Sequence, residues 1–420
     1  MKRFFLPSLI MALVLSGCDS AYKMDGTGDR YDGIWDDAKT PEGASFDEGS
    51  TEEGGGQQVS SGILTAGEWN DLDNWDFWGN LMTTPEPPAE GASEEEKQQA
   101  RPDYGKMAEM WGFNTSRRVA VHVQGEDGTP AANVKVQLYQ GQTLIWSAKT
   151  TNEGNAQLWQ DLFSARGQES TSEASLSISI EGEAQDNAPV VSSWDAPAVI
   201  NNYTFNASSP ASSADIAFIV DATGSMTDEI NFLKKDLLSI LEDLSQSQSG
   251  VTIRTGAVFY RDEGDTYVTR SDNFTTPSKT LEFVEKQRAD GGGDLPEAVH
   301  TALATTLQKL SWDNTARSRM AFLILDAPAH GDRKDVIESL QKSIKSFSEL
   351  GIRIIPVMAS NYDKTGEFMC RDFAIVTGGT YVFLTDDSGV GESHMEPTVG
   401  EFEVEKLRDL LLRLMNEYVK

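Results

Sequence analysis

From Ala214 onward the chain carries five runs, IAFIVDA, VTIRTGAVFY, AFLILDA, IRIIPVMA and TYVFLT, most of them apolar and β-branched along their length. A half-exposed strand alternates apolar and polar residues, so runs like these belong to strands buried on both faces. Between them lie segments with helical apolar spacing: Asp228 to Leu244, Lys279 to Lys286, Pro296 to Leu310, Asp335 to Leu350, Glu367 to Val376 and, last, Val404 to Tyr418. Strands joined by crossover helices become parallel neighbours. Residues 214–420 are therefore expected to form a doubly wound, Rossmann-like α/β domain with a mainly parallel sheet. Ligands of such a sheet lie beyond the carboxyl ends of its strands.

The preceding sequence follows a different period. In 115–205, RVAVHVQGEDGTPAANVKVQLYQGQTLIWSAKTTNEGNAQLW alternates around GEDGTP, QGQ and NEGN turns, which predicts a small all-β sandwich. Gly128-Thr129-Pro130, Val134, Val136, Thr151 and Gly154 resemble the strand and turn positions of carboxypeptidase-regulatory, transthyretin-like domains, where a spacer role is the expectation.

The chain is strongly acidic, with 66 Asp and Glu against 35 Lys and Arg and a net charge of −31. A polyanion repels phosphate backbones, so nucleic acid is excluded as a partner. The acids are uneven: Asp19 to Lys106 holds 21 of them against 6 basic residues. Within that stretch, 18–58 has too little apolar content to offset its ordering entropy and reads as a disordered acidic tether. Residues 59–82 are the exception, because Trp69, Leu72, Trp75, Phe77, Trp78 and Leu81 recur at roughly helical spacing. This aromatic segment is expected to dock on a partner or on the chain's own body. Residues 83–114 read as a linker rich in proline and glutamate.

At the amino end, Lys2 and Arg3 precede an apolar run, Phe4 to Leu15, too short to span a bilayer and shaped like a secretory signal. Leu15-Ser16-Gly17-Cys18 resembles the bacterial lipobox. The resemblance implies removal of 1–17 and acylation of Cys18, which would anchor the protein to a membrane of the bacterial cell envelope, inner or outer. Cys370 is then the only thiol left for pairing, so no disulfide staples the mature chain. It falls on an apolar helical face beside Phe368 and Phe373 and reads as a core residue.

Three loops at the carboxyl edge of the predicted sheet carry oxygen ligands. Asp221, Thr223 and Ser225 alternate in DATGSM; Asp294 follows three glycines in DGGGDLPEA; Asp326 ends AFLILD. Carboxylates and hydroxyls without His or Cys suit a hard divalent cation, Mg²⁺, Mn²⁺ or Ca²⁺. Each of these acids alone could instead cap a helix. Together they resemble, one by one, the metal-ion-dependent adhesion site of the von Willebrand factor A domain. DATGSMTDEI, FYRDEGDTYVTR, GGGDLPEAV and FLTDDSGVGESH look like a bacterial, envelope-associated subset of that family. The resemblance implies metal-dependent protein binding at residues 214–420. Asp294 stands where many adhesive members have a neutral Thr. Three carboxylates outweigh a divalent charge, so weak, transient recognition is expected.

Enzymatic readings fare worse. Ser225 lacks a nucleophile elbow and no histidine is near it in sequence. GGGD lacks the ending of a phosphate loop. Glu263, Gly264 and Asp265 are expected to form a solvated turn, and His330 lies near the metal edge as a loop residue. The chain is expected to be a binding protein rather than an enzyme. The alternative is an accessory docking subunit of an envelope enzyme or transport complex, with a structural metal.

Overall fold

The computed structural model describes residues 64–86, 93, 101–168, 175–293, 295–359, 363–388 and 395–420. The expected signal sequence, Cys18, the expected tether and Asp294 lie outside the described residues. The described chain opens with strand β1 (Thr65–Trp69) and helices α1 (Trp75–Leu81) and α2 (Tyr104–Trp111). Seven strands follow: β2 (Arg118–Gln124), β3 (Lys135–Gln140), β4 (Thr143–Lys149), β5 (Asn155–Trp159), β6 (Leu176–Ile180), β7 (Glu183–Ala184) and β8 (Ile200–Thr204). They form two sheets, ordered β5-β2-β8 and β4-β3-β6-β7, antiparallel except for β2 with β8. Inward residues of both, Val119, Val121, Val136, Leu138, Leu158 and Ile178, are buried, as the two-residue period requires.

The α/β part comprises β9 (Ala211–Asp221), α3 (Thr227–Ser247), β10 (Thr252–Tyr260), β11 (Thr269–Thr275), α4 (Pro277–Val284), α5 (Val299–Lys309), β12 (Ala316–Leu325), α6 (Lys334–Leu350), β13 (Ile352–Met358), α7 (Lys364–Thr377), β14 (Tyr381–Thr385), β15 (Glu405–Lys406) and α8 (Leu407–Val419). Its sheet order is β11-β10-β9-β12-β13-β14-β1-β15. The five strands from β10 to β14 in that order are parallel; β11 and β1 run antiparallel to them at the flanks, and β15, antiparallel to β1, points the same way as the five. Along β9, Ile216, Phe218 and Val220 enter one core with Leu233 and Leu237 of α3, while Ala217 and Ile219 enter the other with Val336 and Leu340 of α6. Both faces are covered, hence the continuous apolar runs.

Some expectations are corrected and others are met. Thr65–Trp69 is a strand rather than part of a helix, because β14 would otherwise present unpaired backbone groups at a sheet edge. The aromatic segment is packed inside the chain's own body: Trp78 is fully buried, stacks on Phe368 of α7 at 5.6 Å and donates from Nε1 to Thr115 Oγ1 at 2.9 Å. The linker holds α2, whose Tyr104 and Trp111 are buried in the same core. The helix expected from Pro296 begins at Val299, since Glu297 forms a β-bridge with Ala329. Cys370 is buried, and its Sγ lies 3.2 Å from Met358 Sδ. Among the described residues no helix is long and apolar enough to cross a membrane.

Candidate metal centre

Asp221 closes β9 opposite Tyr260 of β10 and is fully buried. The chain then turns so that Thr223 donates to Asp221 Oδ1 from both its backbone N and its Oγ1, each at 2.8 Å. A hydroxyl that donates keeps its lone pairs for another acceptor role. Ser225 follows in a single 3₁₀ turn and is exposed. Asp326, directly after β12, is 4% exposed. The structure thus brings Asp221, Thr223 and Asp326 to one buried point of the carboxyl edge, with Ser225 at its surface.

The glycine loop reaches the same point. Gly224 N donates to Gly291 O at 3.1 Å and Asp290 N to Ala222 O at 3.1 Å, joining the first and second loops. Gly291 and Gly292 have φ of 81° and 70°, and a Cβ on Gly291 would sit 2.5 Å from Asp265 Oδ1. Only glycine fits both the conformation and the space. Glu297 N donates to Pro328 O at 2.9 Å, joining the second loop to the third.

The turn of Glu263 to Asp265 is more than solvated surface. Asp265 Oδ2 accepts from Gly292 N at 3.1 Å, which holds the glycine loop in place. Glu263 pairs with Arg333 at 2.8 Å, and His330 Nε2 meets Asp262 Oδ1 at 2.9 Å.

Two further acids, unmarked by their spacing, are buried near it. Glu229 on the first turn of α3 is 6% exposed and Glu297 is 2% exposed. The signal for Glu229 was its position: it precedes Leu233 and Leu237 on the apolar stripe of α3, where a carboxylate is out of place. Burial and the charge of Asp326 push Asp221 up to about 7. Burial pushes Glu229 up to about 7, and Glu297, with Asp221 beside it, up to about 9. Acids so displaced mark a place that lacks compensating positive charge. Asp221 Oδ2 is buried with no hydrogen-bond partner among the described residues. An oxygen-only donor set with an orphaned carboxylate oxygen fits a hard divalent cation. Among the described residues no three His, Cys, Asp or Glu side chains converge closely enough to hold a metal by themselves. The third expected carboxylate, Asp294, is outside them.

Residues 215–382 match the family described as the von Willebrand factor A domain and form a domain of that kind. Over 131 residues the chain is 34% identical to alpha-protein kinase vwkA of Dictyostelium discoideum, covering 30% of this chain and 20% of that protein. Over 188 residues it is 29% identical to an ariadne-like RING finger protein of Acanthamoeba polyphaga mimivirus, covering 40% and 18%. The chain thus spans about a fifth of the length of these relatives. Among solved structures it resembles proximal thread matrix protein 1 of the mussel byssus, at 12% identity and a TM-score of 0.32, over 49% of this chain and 45% of that one.

Proposed function

We propose that the von Willebrand factor A domain of this chain holds a divalent cation, Mg²⁺ foremost, and binds a protein partner through it, on a body lipid-anchored in the bacterial cell envelope by Cys18. Domains of this family generally serve protein interactions. The observation that carries the metal is Asp221: a buried carboxylate with one oxygen unpartnered among the described residues, beside the charge of Asp326. Asp221, Thr223, Ser225 and Asp326 would hold the ion, with Asp294 entering from the glycine loop. A bound ion supplies a coordination position for an oxygen of the partner. Recognition rather than turnover is the chemistry.

The same abundance of acid favours a second reading, an accessory docking subunit whose metal is structural. Glu229 and Glu297 add to the negative charge around the ion and would hold it tightly while making it a poor electrophile.

Mg²⁺ at a hundredfold excess over its dissociation constant should stabilise the fold by about 2.7 kcal/mol, and Asp221→Ala should abolish the shift. Asp294→Thr should weaken the ion yet strengthen capture of a Glu-bearing peptide; if it moves neither affinity, the acids are capping residues only. Partner capture that survives EDTA would favour the structural metal. Cys18→Ala should leave the membrane fraction, and its retention there would sink the anchor.

A further inference from the structure

The turn between β10 and β11 supplies no ligand of the candidate metal centre, yet it grips all three loops that do. Arg261, itself buried, donates from Nε to Ala222 O of the first loop and from Nη2 to Arg288 O at the head of the second, each at 3.0 Å. Asp265 Oδ2 accepts from Gly292 N of the second loop at 3.1 Å and from Asp262 N of its own turn at 3.3 Å. Asp262 Oδ1 lies 2.9 Å from His330 Nε2 of the third loop, and Glu263 reaches Arg333 just beyond it. The side chains of Asp262 and His330 are mostly buried, in surroundings dry enough to strengthen their bond.

The second loop needs such a hold. Gly291 to Gly293 are consecutive glycines, which lose more freedom on being fixed than any other residue and have no side chain to anchor them. Gly292 in turn sets Thr223. A Cβ on Gly292 would lie 3.0 Å from Thr223 Cβ and 3.2 Å from its Cγ2, so the glycine backbone is packed on the Thr223 methyl. With that methyl fixed from one side, Thr223 keeps its Oγ1 on Asp221. An unbroken line of contacts therefore runs from His330 through Asp262, Asp265 and Gly292 to a candidate ligand.

Resting on the metal reading above, we propose that Asp265 is a positioning residue of the centre, and that its turn, by fixing Thr223 from behind, makes the site select Mg²⁺ over Ca²⁺. Mg²⁺ needs near-octahedral oxygens at about 2.1 Å, whereas Ca²⁺ takes more of them, farther away and in looser geometry. A ligand held from behind meets the first demand. One that is free to shift meets only the second.

The test is calorimetric titration of the full chain, stripped with EDTA and dialysed, with Mg²⁺ and with Ca²⁺. The parent should bind Mg²⁺ more tightly. Asp265→Ala should weaken Mg²⁺ at least about tenfold, the usual cost of removing a group that supports a metal ligand, and Ca²⁺ less. The lost negative charge weakens both divalent ions alike, so the ratio of the two affinities reads position alone. Asp265→Asn loses the same charge but keeps an oxygen acceptor for Gly292 N, and it should keep the parent's ratio. In the metal-free state the Gly292 amide should exchange faster in Asp265→Ala than in Asp265→Asn. Should Asp265→Ala not fold, His330→Phe, which keeps a ring but not the nitrogen facing Asp262, should lower the ratio as well. A parent that prefers Ca²⁺, a ratio unchanged in the folded variant, a ratio lowered equally in Asp265→Asn, or equal exchange in the two would each overturn the assignment and leave the metal reading standing; a parent that binds neither ion would overturn both.

Discussion

Glu229 shows how a single side chain ties the metal edge to stability. Its carboxyl is pushed up to about 7 by burial, with Asp326, Asp228 and Asp221 adding repulsion. The folded state therefore binds the proton more tightly than the unfolded chain, whose carboxyl titrates near 4.5. Below 4.5 both states hold the proton and Glu229 carries no penalty. As pH rises through about 7, the fold must either retain a proton the unfolded chain has released or bury a charge. In EDTA, Glu229→Gln should match the parent near pH 4 and exceed it at pH 8 by roughly 1–3 kcal/mol in urea denaturation. A variant less stable than the parent at pH 8 would show that the carboxylate is compensated. At this scale the sequence was informative where residues repeat a spacing, as Asp221, Thr223 and Ser225 do. It was silent on Glu297, and it marked Glu229 only by its place on the apolar stripe of α3; their nearness to Asp221 comes from the fold.

Among elements, β1 and α1 gain most from the tertiary structure. Asp71, between them, is 3% exposed and grips Arg371 of α7 through both oxygens, at 2.6 and 2.9 Å. Arg371 also donates to Thr398 O at 2.6 Å and lies 3.3 Å from Glu367, whose Oε1 in turn accepts from Thr398 N at 2.7 Å. A buried pair adds little over an apolar replacement, yet breaking one side strands the other charge. Asp71→Ala should cost about 3–5 kcal/mol, and Arg371→Met added to it should restore part of that loss; chemical denaturation of both reads the difference. A cost below about 1 kcal/mol would mean that Glu367 alone neutralises Arg371. The aromatic spacing revealed that this segment had to be buried. It could not reveal a strand, because Thr-Ala-Gly-Glu-Trp has no decisive period until the edge of β14 is there to pair with it.

In the whole molecule, the two periods of the sequence separated sandwich from α/β domain, and both are present. Their union was not legible. The contact is made by residues of mixed character: Trp146 of β4 donates to Ser348 Oγ of α6 at 3.1 Å, Lys345 Nζ of α6 to Ile145 O at 3.1 Å, and Asn133 Nδ2 to Asn314 O at 3.0 Å. No such residue stands out in a one-dimensional pattern, because each is polar or aromatic enough to suit a surface as well.

The direction of β1 carries one more consequence. Thr65 pairs with Thr385, the last residue of β14, and β14 runs parallel to the strands that end at Asp221 and Asp326. The chain therefore enters its sheet at the edge that carries the metal ligands. A pull between a tethered amino end and a partner gripped at that edge would load the strands from one side. Their hydrogen bonds would then part rung by rung, like a zip, instead of resisting together in shear. A joint loaded in that way yields early under tension.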